Sequence, residues 1–503
     1  MTGEGGWLLI LILLSSFFTG VAIFHLGEYQ GRLRTVLNLL GAGLKVLLVG
    51  VMLTGVYFGV IFEFRLPLAS GLDFALRADA LGLQFVTLSA GLWLVTTIYA
   101  IGYLEGSPER SRFFGFFSLC VTASTGVALS GNLFTFIIFY EFLTLATYPL
   151  VVHRGTEKVL RAGRTYLIYT LGGGVLLLLG AVWLHALGAG LDFGEPGNLD
   201  ALVERAPLAA VLLFWLLIAG LGVKAALVPL HGWLPIAMVA PAPVSALLHA
   251  VAVVKAGAFG IVRLLYDVYG IETTVALGVN VWLAVLASFT IVYGSLSALR
   301  QNEIKSRLAY STVSQLSYIT LGVAIAGPIA TVGGLVHLVH QGLMKITLFF
   351  CAGNLAETLH IHNVSEMNGI GRVMPVTMAA FTLAGLGMIG LPPLAGFVSK
   401  WYIATGGLEA GYSWVMPVLI ASSVLNAAYF LPPIYRAWFK APPESLAREH
   451  PGFECGASLW LLLPAVATAA FALMAGLLAQ APFSPLSWAR LIVEREYFAG
   501  VLF

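Results

Sequence analysis

The stretch GLGVKAALVPLHGWLPIAM, residues 220–238, decides the fold. It is almost wholly apolar, yet it contains Lys224, and Pro229 and Pro235 follow within a few residues. A proline removes a backbone donor and clashes with the preceding turn, so an α-helix cannot run straight through this stretch. Backbone groups freed in this way survive in a bilayer only where protein or water satisfies them. The stretch therefore predicts a membrane helix that is broken beside a buried lysine.

A second stretch, GMIGLPPLAGFVSKW at residues 387–401, repeats this combination. Gly390, Pro392 and Pro393 interrupt its apolar run just before Lys400. Helices interrupted at corresponding places in two halves of a chain point to an inverted-repeat transporter core.

The composition assigns the whole chain to the membrane. Of its 503 residues 59% are hydrophobic and only 10% are charged, whereas a soluble domain has about 25% charged residues. The net charge of +2 gives no reason to expect a nucleic-acid partner. Cys120, Cys351 and Cys455 are far apart and show no CxxC spacing, so we expect no metal site, no cofactor and no disulfide framework.

A helix needs about 20 apolar residues to cross the hydrocarbon, and this length predicts an all-α protein with about 14 spans. A β-barrel would show short alternating segments instead of these long continuous runs. The predicted spans lie near residues 6–27, 36–62, 80–103, 113–130, 132–152, 164–188, 207–228, 242–267, 273–299, 308–327, 329–353, 374–391 with 394–407, 414–438 and 457–480.

The short loops predict the orientation, because cytoplasmic loops carry an excess of lysine and arginine. With about 14 spans the basic loops all fall on one side, whereas alternate loops such as 191–205 are acidic or neutral. We therefore expect both termini on the outer face. The basic residues are Arg32, Arg34, Arg110, Arg112, Arg154, Lys158, Arg161, Arg164, Arg300, Lys305, Arg307, Arg372, Arg436, Lys440 and Arg448.

Glu141 lies in the middle of the apolar run FTFIIFYEFLTLATYPLVV, residues 134–152. An ionisable group at the centre of a membrane helix costs roughly 2.5–3.5 kcal/mol on insertion scales. One interpretation is a carboxylate that a neighbouring helix neutralises and that does nothing more. The other, which we favour, is a buried acid whose proton affinity responds to a nearby lysine.

Three further candidates lie near the first break. Lys224 could extend to an interface, but its distance in sequence from either loop favours a buried lysine that exchanges a proton. His249 and Lys255 share the next span, six residues apart, and at 100° per residue they fall on different helical faces. We expect one of them, preferably Lys255, to point into a shared path.

The run GLVHLVHQGLMKITLFF, residues 334–350, carries a polar stripe. Its spacing places His337, Gln341 and Lys345 on one helical face, which suits a hydrogen-bonded chain of water. A single buried histidine more often just has its hydrogen bonds satisfied by neighbouring groups. Several polar residues on one helix together favour a proton relay. Lys400, after the second break, would be the last site before release.

Other polar features have simpler interpretations. Lys45 lies within an apolar span, where it could face a partner subunit or pair internally. Residues 172–174 are three glycines that allow close helix packing. Arg77 and Asp79 are expected at an exposed loop end.

Several of these strings resemble the antiporter-like subunits shared by Mrp-type multisubunit cation/proton antiporters, respiratory complex I and membrane-bound hydrogenases. Within that family, LAYSTVSQLSYITLG, MKITLFFCAG and SSVLNAAYFLPPIYRAWF resemble the D subunit of the Mrp type most closely. The strings that carry the family resemblance are YEFLTLATYPLV (140–151), GLGVKAALVPLHGWLPIAMVAPAPVSALLHA (220–250), RLAYSTVSQLSYITLG (307–322), HLVHQGLMKITLFFCAG (337–353) and GMIGLPPLAGFVSKWY (387–402).

The resemblance implies two inverted five-helix repeats in which helices 7 and 12 are broken. It divides the chain into N-terminal helices 1–3 (1–112), a first repeat of helices 4–8 (113–270), a second, inverted repeat of helices 9–13 (271–440), and helix 14 with the tail (441–503).

The resemblance also assigns relay positions. Glu141 corresponds to the family's fifth-helix glutamate, Lys224 to its seventh-helix lysine, and Lys400 to its twelfth-helix lysine or glutamate. Lys255 matches the eighth-helix lysine of some members and His249 the histidine of others, so that site stays open. In helix 11, Gln341 replaces a second histidine that some members carry, while His337 and Lys345 complete the expected stripe.

The function expected from this resemblance is proton translocation by a subunit of a Na⁺/H⁺ antiporter in a bacterial or archaeal cell membrane. The chain would be part of a transporter, not an enzyme, with protons, Na⁺, lipid and other membrane subunits as partners. One alternative is the same subunit in a redox-driven pump of the complex I or hydrogenase type. The others are a non-conducting scaffold and a haem-bearing electron carrier with His249, His337 or His340 as ligands.

Overall fold

A computed structural model of the chain describes residues 5–69, 71–194, 199–443 and 453–500. Arg448 and part of the acidic loop 191–205 lie outside the described residues. The first half contains α1 (Gly6–Phe24), α2 (Gly31–Tyr57), β1 (Phe62–Ala69), β2 (Leu72–Ala78), α3 (Ala80–Tyr103), α4 (Arg110–Ala128), α5 (Leu133–Val151), α6 (Glu157–Ala186), α7 (Leu199–Arg205), α8 (Pro207–Lys224), α9 (Trp233–Ile236), α10 (Ala242–Ala246) and α11 (Val253–Arg263).

In the described residues of the second half, every named element is a helix. This half contains α12 (Ile271–Ala276), α13 (Val279–Leu299), α14 (Ile304–Ala324), α15 (Pro328–Leu359), α16 (Ile370–Val373), α17 (Pro375–Ile389), α18 (Ala395–Glu409), α19 (Val415–Phe439), α20 (Leu459–Leu477) and α21 (Pro485–Ile492). A π-helical turn at Leu247–Val251 links α10 to α11, and a second one follows α11 at Leu264–Val268.

Within the described ranges, eleven helices are long and apolar enough to cross a membrane, counting Ala242–Val268 as one. Two further predicted spans correspond to α4 and α14, which have 19 and 21 residues but are richer in serine and threonine. The span predicted at 374–391 with 394–407 is divided into α17 and α18, each of 15 residues. The prediction of about 14 crossings is thus supported in outline, and the exact count stays a prediction.

The prediction of an all-α chain was wrong in one place. β1 and β2 form an antiparallel hairpin, with Phe62 opposite Ala78 and Leu66 opposite Phe74. The hairpin falls between the predicted spans 36–62 and 80–103, where a search for long apolar runs does not register short strands. Arg65 fixes it to the rest of the protein through an ion pair of 2.8 Å with Asp192.

The basic loops meet at one end of the helical bundle, which we call the basic end. Arg34 and Arg110 both approach Glu28, at 3.7 and 3.6 Å. Further along, Lys305 donates a hydrogen bond of 2.5 Å to the carbonyl of Ala240. Contacts between loops so distant in sequence place them on one side, as the alternation of charge predicts.

The opposite end, which we call the hairpin end, carries both ends of the described chain. Gly6 packs against the backbone of Glu63 in β1, and Arg495 donates to the carbonyls of Val56 and Tyr57. Both ends therefore lie opposite the basic loops. That this side is the outer face stays a prediction.

Two stretches form the centre of the bundle. Residues Ala242–Val268 are buried on all sides and α15 is nearly so, whereas α1, α2, α6 and α19 each leave an apolar side exposed. Outward apolar faces are what a bilayer contacts. The central stretches carry His249, Lys255, His337 and Lys345, so most of the predicted relay lies where lipid does not reach.

Candidate functional site

The first predicted break is present between α8 and α9. α8 ends at Lys224, and the chain does not become helical again until Trp233. The Trp233 indole donates a hydrogen bond of 2.7 Å to the carbonyl of Val223. The amide of Val228 donates to the hydroxyl of Thr290 on α13, at 3.2 Å. Protein groups thus satisfy backbone that the break leaves free, as an irregular segment in a membrane requires.

Lys224 lies fully buried at this break. Its ammonium group donates to the carbonyl of Tyr140 and lies 3.4 Å from the centre of the Tyr140 ring. The Tyr140 hydroxyl in turn donates to the carbonyl of Gly220, at 3.1 Å. Tyr140 therefore ties α5 to the end of α8 and gives Lys224 its immediate surroundings.

Glu141 follows Tyr140 on α5 and is partly buried. Its carboxylate lies against the backbone of Gly174 on α6, where a Cβ atom would overlap it. Its Oε1 atom is buried without a hydrogen-bond partner. Glu141 and Lys224 interact electrostatically, but no ion pair within 4.0 Å joins them in the described part of the chain. That they work as a pair stays a prediction.

Lys255 and His249 both lie in the fully buried central stretch. Lys255 donates a hydrogen bond of 2.6 Å to the carbonyl of Leu338 on α15. His249 stacks on Phe349 of α15 at 4.7 Å between ring centres, with both ring nitrogens unpartnered. The predicted separation onto different faces was wrong, because the π-helical turn between them changes the helical periodicity. Both residues face α15, and the choice between them stays open.

His337 connects the central helix to the second broken pair. Its Nδ1 atom shares a hydrogen bond of 2.7 Å with the hydroxyl of Ser399 on α18, while its Nε2 atom is buried without a partner. The ring lies 5.2 Å from that of Tyr318 on α14. His337 also interacts electrostatically with both Lys255 and Lys400.

Lys345 points toward α14. Its ammonium group donates to the hydroxyl of Ser311 and, at 3.1 Å, to the carbonyl of Leu308. It interacts electrostatically with Lys255 and with His249. The stripe predicted on α15 therefore divides, with His337 directed to α18 and Lys345 to α14.

The second predicted break separates α17 from α18. α17 ends at Ile389, and Gly390 adopts a left-handed conformation with φ of 91°. Lys400, from α18, donates to the carbonyls of Ile389 at 2.8 Å and Met388 at 3.2 Å. Cations favour helix C-termini because unpaired carbonyls point outward there, so Lys400 caps the helix on the other side of the break.

The structure thus brings the predicted residues into two groups. Glu141 and Lys224 form one, at the first break. Lys255, His337 and Lys400 form the other, which we call the buried row, because Lys255 contacts the residue after His337 and His337 contacts the residue before Lys400. The two groups adjoin at Gly257 of α11. Because Gly257 has no side chain, α11 contacts the backbone of Lys224 and Ala225 there. Buried amines and imidazoles in series can hold and pass a proton.

A buried ion cluster at the hairpin end was missed. Arg263 pairs with Asp79 at 2.7 Å and with Asp267 at 2.8 Å, and all three side chains are largely buried. The expectation of an exposed loop end for Asp79 was wrong, because its carboxylate also accepts from the amide of Gly82 and caps α3. An arginine and an aspartate four residues apart in an apolar run were the signal available in the sequence.

Metal-ligand geometry is not found at these sites. Among the described residues, no group of three or more His, Cys, Asp and Glu side chains could hold a metal ion. Cys120 and Cys351 are buried free thiols and form no disulfide within the described part of the chain.

Broken helices around buried lysines place the chain in a class of polytopic membrane proteins with interrupted core helices. Residues 130–426, more than half of the chain, match the family model for "NADH:quinone oxidoreductase/Mrp antiporter, TM". The chain belongs to this family and is an antiporter-like membrane subunit of the Mrp or complex I type. The predicted family resemblance is confirmed.

Similar proteins come from both branches of the family. The chain is 38% identical to the N subunit of the NADH-quinone oxidoreductase of Desulforudis audaxviator over 74% of each protein. It is 29% identical to the A/B subunit of a probable K⁺/H⁺ antiporter of Rhizobium meliloti, over 85% of this chain and 43% of that protein. A chain in the solved Mrp complex of Dietzia sp. DQ12-45-1b has the same fold, with a TM-score of 0.86 at 22% identity, over 98% of this chain and 97% of that one.

Proposed function

We propose that this chain translocates protons as one member of an antiporter complex of several subunits, which exchanges protons for a monovalent cation, Na⁺ in the first instance. The observation that carries the proposal is the buried row of Lys255, His337 and Lys400, which leads from α11, packed against the first break, to the second break. Ionisable groups this deep in a membrane protein commonly mark ion or proton pathways.

In the proposed mechanism, a proton reaches Lys224 from the basic end. A cleft of about 540 Å³ opens there onto the broken segment, at Pro235 and Val239. The proton passes from Lys224 to Lys255 and onward through His337 to Lys400, which releases it toward the hairpin end. Lys345 and His249 serve as side positions, where a proton resides without leaving the central helices.

Glu141 sets the proton affinity of Lys224 in this scheme. Its negative charge stabilises the ammonium form of the lysine across the gap between α5 and α8. Protonation of Glu141, or its movement away from α8, removes that stabilisation and drives the proton on toward Lys255. The pair therefore titrates as a unit.

The proposal includes an assembly and a topology. The partners would be other membrane subunits in a bacterial or archaeal cell membrane, with both termini outside and 14 helices in all. The two inverted repeats would span 113–270 and 271–440, flanked by N-terminal helices at 1–112 and by helix 14 with the tail at 441–503. The D-type motifs favour an Mrp assembly.

The central test replaces Glu141 with Ala or Gln and measures cation-dependent pH changes in everted vesicles. We expect exchange to fall strongly while the complex still assembles. Glu109→Gln is the matched control, because Glu109 is exposed at the start of α4, pairs with Arg112 at 3.5 Å and does not line the cleft. Exchange that continues at the wild-type rate in Glu141→Ala would refute the role of Glu141.

Two further substitutions address the scaffold interpretation. Lys224→Ala and Lys400→Ala each remove a buried relay amine without touching the exposed surface. Loss of exchange in both supports translocation through this chain. Wild-type exchange in both, with normal assembly, would make a non-conducting scaffold the better description.

The second candidate function is proton pumping in a redox-driven complex. The similarity to a component of an NADH-quinone oxidoreductase favours it. The buried row would work in the same way, with electron transfer in other subunits as the driving force. Purification in mild detergent decides between the two, since quinone-reductase or hydrogenase subunits would accompany the chain only in a redox complex.

A further inference from the structure

Lys45 on α2 is a buried amine that the proposed relay does not use. Its side chain is fully buried, although α2 exposes an apolar face on its other side. The ammonium group donates a hydrogen bond of 2.7 Å to the hydroxyl of Ser16 on α1 and lies 5.6 Å from the ring centre of Trp93 on α3. Ser16 shares a hydrogen bond of 2.8 Å with Thr122 on α4. Lys45 is thus enclosed by the first four helices.

In the described part of the chain, no acidic side chain interacts with Lys45. The groups that face it are Ser16 from α1, Trp93 from α3 and Thr122 from α4. An isolated buried charge is unfavourable, so Lys45 can exist as a neutral amine as well as an ammonium group.

The partners of Lys45 suit both protonation states. A hydroxyl can accept a hydrogen bond from an ammonium group and can equally donate one to a neutral amine. Ser16 and Thr122 can reverse their shared hydrogen bond in the same way. Lys255 differs, because its hydrogen bond goes to the carbonyl of Leu338, which only accepts. The pair of hydroxyls therefore lets Lys45 change charge without leaving a buried group unpaired.

Polar residues connect Lys45 to the basic end. Arg34, Asn38 and Lys45 lie on the buried side of α2, at spacings that keep them on one face. Arg34 donates to Ser111 at 2.8 Å and lies beside Glu28 at the loop. The Oδ1 atom of Asn38 is buried without a partner. These side chains, which we call the polar seam, lie along one buried face of α2 between the loop and the amine, with Asn38 and Lys45 about two helical turns apart.

We propose that Lys45 is a second protonatable centre, loaded from the basic end along this seam and separate from the Glu141–Lys224 pair. Release breaks one N–H bond of the ammonium group, the proton returns along the seam, and the neutral amine then accepts a hydrogen bond from Ser16. The inference rests on the proposed proton-translocating function. It gives the helices before the first predicted repeat a part in proton handling.

Two substitutions at Lys45 separate a proton carrier from a structural residue. Lys45→Arg keeps a charge but cannot lose its proton, while Lys45→Met keeps the length without a charge. A proton carrier fails in both variants, and we expect initial exchange rates in everted vesicles to fall about tenfold, equivalent to about 1.4 kcal/mol on the barrier. A wild-type rate in Lys45→Arg would show that Lys45 serves only as a fixed positive charge. A wild-type rate in Lys45→Met would show that only the packing of its side chain matters. Either result overturns the inference.

Two parallel measurements make the result decisive. Ser16→Ala keeps the lysine but removes its reversible partner, and we expect a severalfold slower exchange. If the Lys45 variants do not accumulate in the membrane, a wild-type rate in Ser16→Ala would itself overturn the inference. Glu141→Ala is measured in the same vesicles. If it loses exchange while the Lys45 variants keep it, only the second centre is wrong, whereas a silent Glu141→Ala counts against the proposed function.

Discussion

At the scale of single residues, the position of the Glu141 carboxylate depends on the absence of a Cβ atom at Gly174. Gly174 is buried where α6 passes α5, and a Cβ atom there would occupy the position of the Glu141 carboxylate. Gly173, beside it, brings α6 against the carbonyl of Gly220 at the end of α8. Gly172 points outward and has no neighbour within 4 Å of an added Cβ. The glycine run thus fixes both the closeness of the helices and the place of the acid.

We expect Gly174→Ala to displace the Glu141 carboxylate and to reduce cation-dependent proton exchange nearly as much as Glu141→Ala. Gly172→Ala is the matched control and should retain exchange. It should also stabilise α6 by about 0.5–1 kcal/mol, because alanine is the better helix former. Initial rates in everted vesicles, normalised to the amount of the protein present, provide the measurement. Equal rates in the two variants would show that the slot at Gly174 is irrelevant to Glu141.

The relay residues themselves could be predicted because ionisable groups are rare and costly in apolar runs. Their hydrogen-bond partners could not be predicted. Lys224 donates to the carbonyl of Tyr140, and Lys400 donates to a carbonyl at the end of α17. A sequence does not show which backbone carbonyl a side chain will contact. Arg263 was missed although it also lies in an apolar run.

At the scale of elements, different side chains donate to the backbone carbonyls that the two helix breaks leave free. At the first break the Trp233 indole satisfies the carbonyl of Val223. At the second, Lys400 satisfies the carbonyls of Met388 and Ile389, and Asn426 adds a further hydrogen bond of 3.1 Å to Met388. Lys400 is therefore both the end of the proposed relay and a helix cap. Its loss of a proton would weaken the hold on α17.

Trp233→Phe should destabilise the first break. The ring remains and only the indole N–H is lost, at a net cost of about 1 kcal/mol, and the carbonyl of Val223 keeps only the longer hydrogen bond from the amide of Ala226, at 3.2 Å. We expect a lower midpoint of thermal aggregation in detergent, followed by size-exclusion chromatography. Trp282→Phe is the control, because Trp282 is 67% exposed on α13. Identical midpoints for both variants would mean that this hydrogen bond does not hold the break.

Break positions could be predicted at this scale, because proline and glycine act locally. The π-helical turn at Leu247–Val251 could not. Its residues are mostly apolar, and nothing in such a run distinguishes a widened turn from a regular one. The prediction that His249 and Lys255 diverge failed because this turn, and the non-helical Ala252 after it, interrupt the regular helical periodicity.

At the scale of the whole molecule, the C-terminal segment closes the hairpin end. Trp488 on α21 donates to the carbonyl of Ala80 at 2.9 Å, and Glu496 accepts from the amide of the same residue at 2.6 Å. Tyr497 reaches Asp267 at 3.3 Å. These contacts join residues more than 200 positions apart. A single sequence holds no trace of such pairings, although the alternation of basic loops did indicate which ends lie together.

This docking should depend on pH through Glu496. Burial, together with the nearby carboxylates of Asp79 and Asp267, raises the pKa of Glu496 well above its usual value near 4.5. The docked segment therefore binds a proton that the undocked segment has lost. Docking is stabilised by that proton at low pH and weakens as the pH rises from the usual value through the raised one. Alkaline conditions should loosen the segment.

Tryptic cleavage after Arg495 measures this loosening, with cleavage after the exposed Arg205 as the internal reference for the protease at each pH. In the wild-type protein the ratio of the two cleavage rates should rise from mildly acidic to alkaline pH. Glu496→Gln mimics the protonated acid, so its ratio should stay low and nearly flat. Arg263 makes the opposite contribution, because its charge offsets the carboxylates. A wild-type ratio that does not change with pH, or a Gln variant that follows the wild type, would exclude Glu496 as the titrating group that holds the C-terminal segment across the hairpin end.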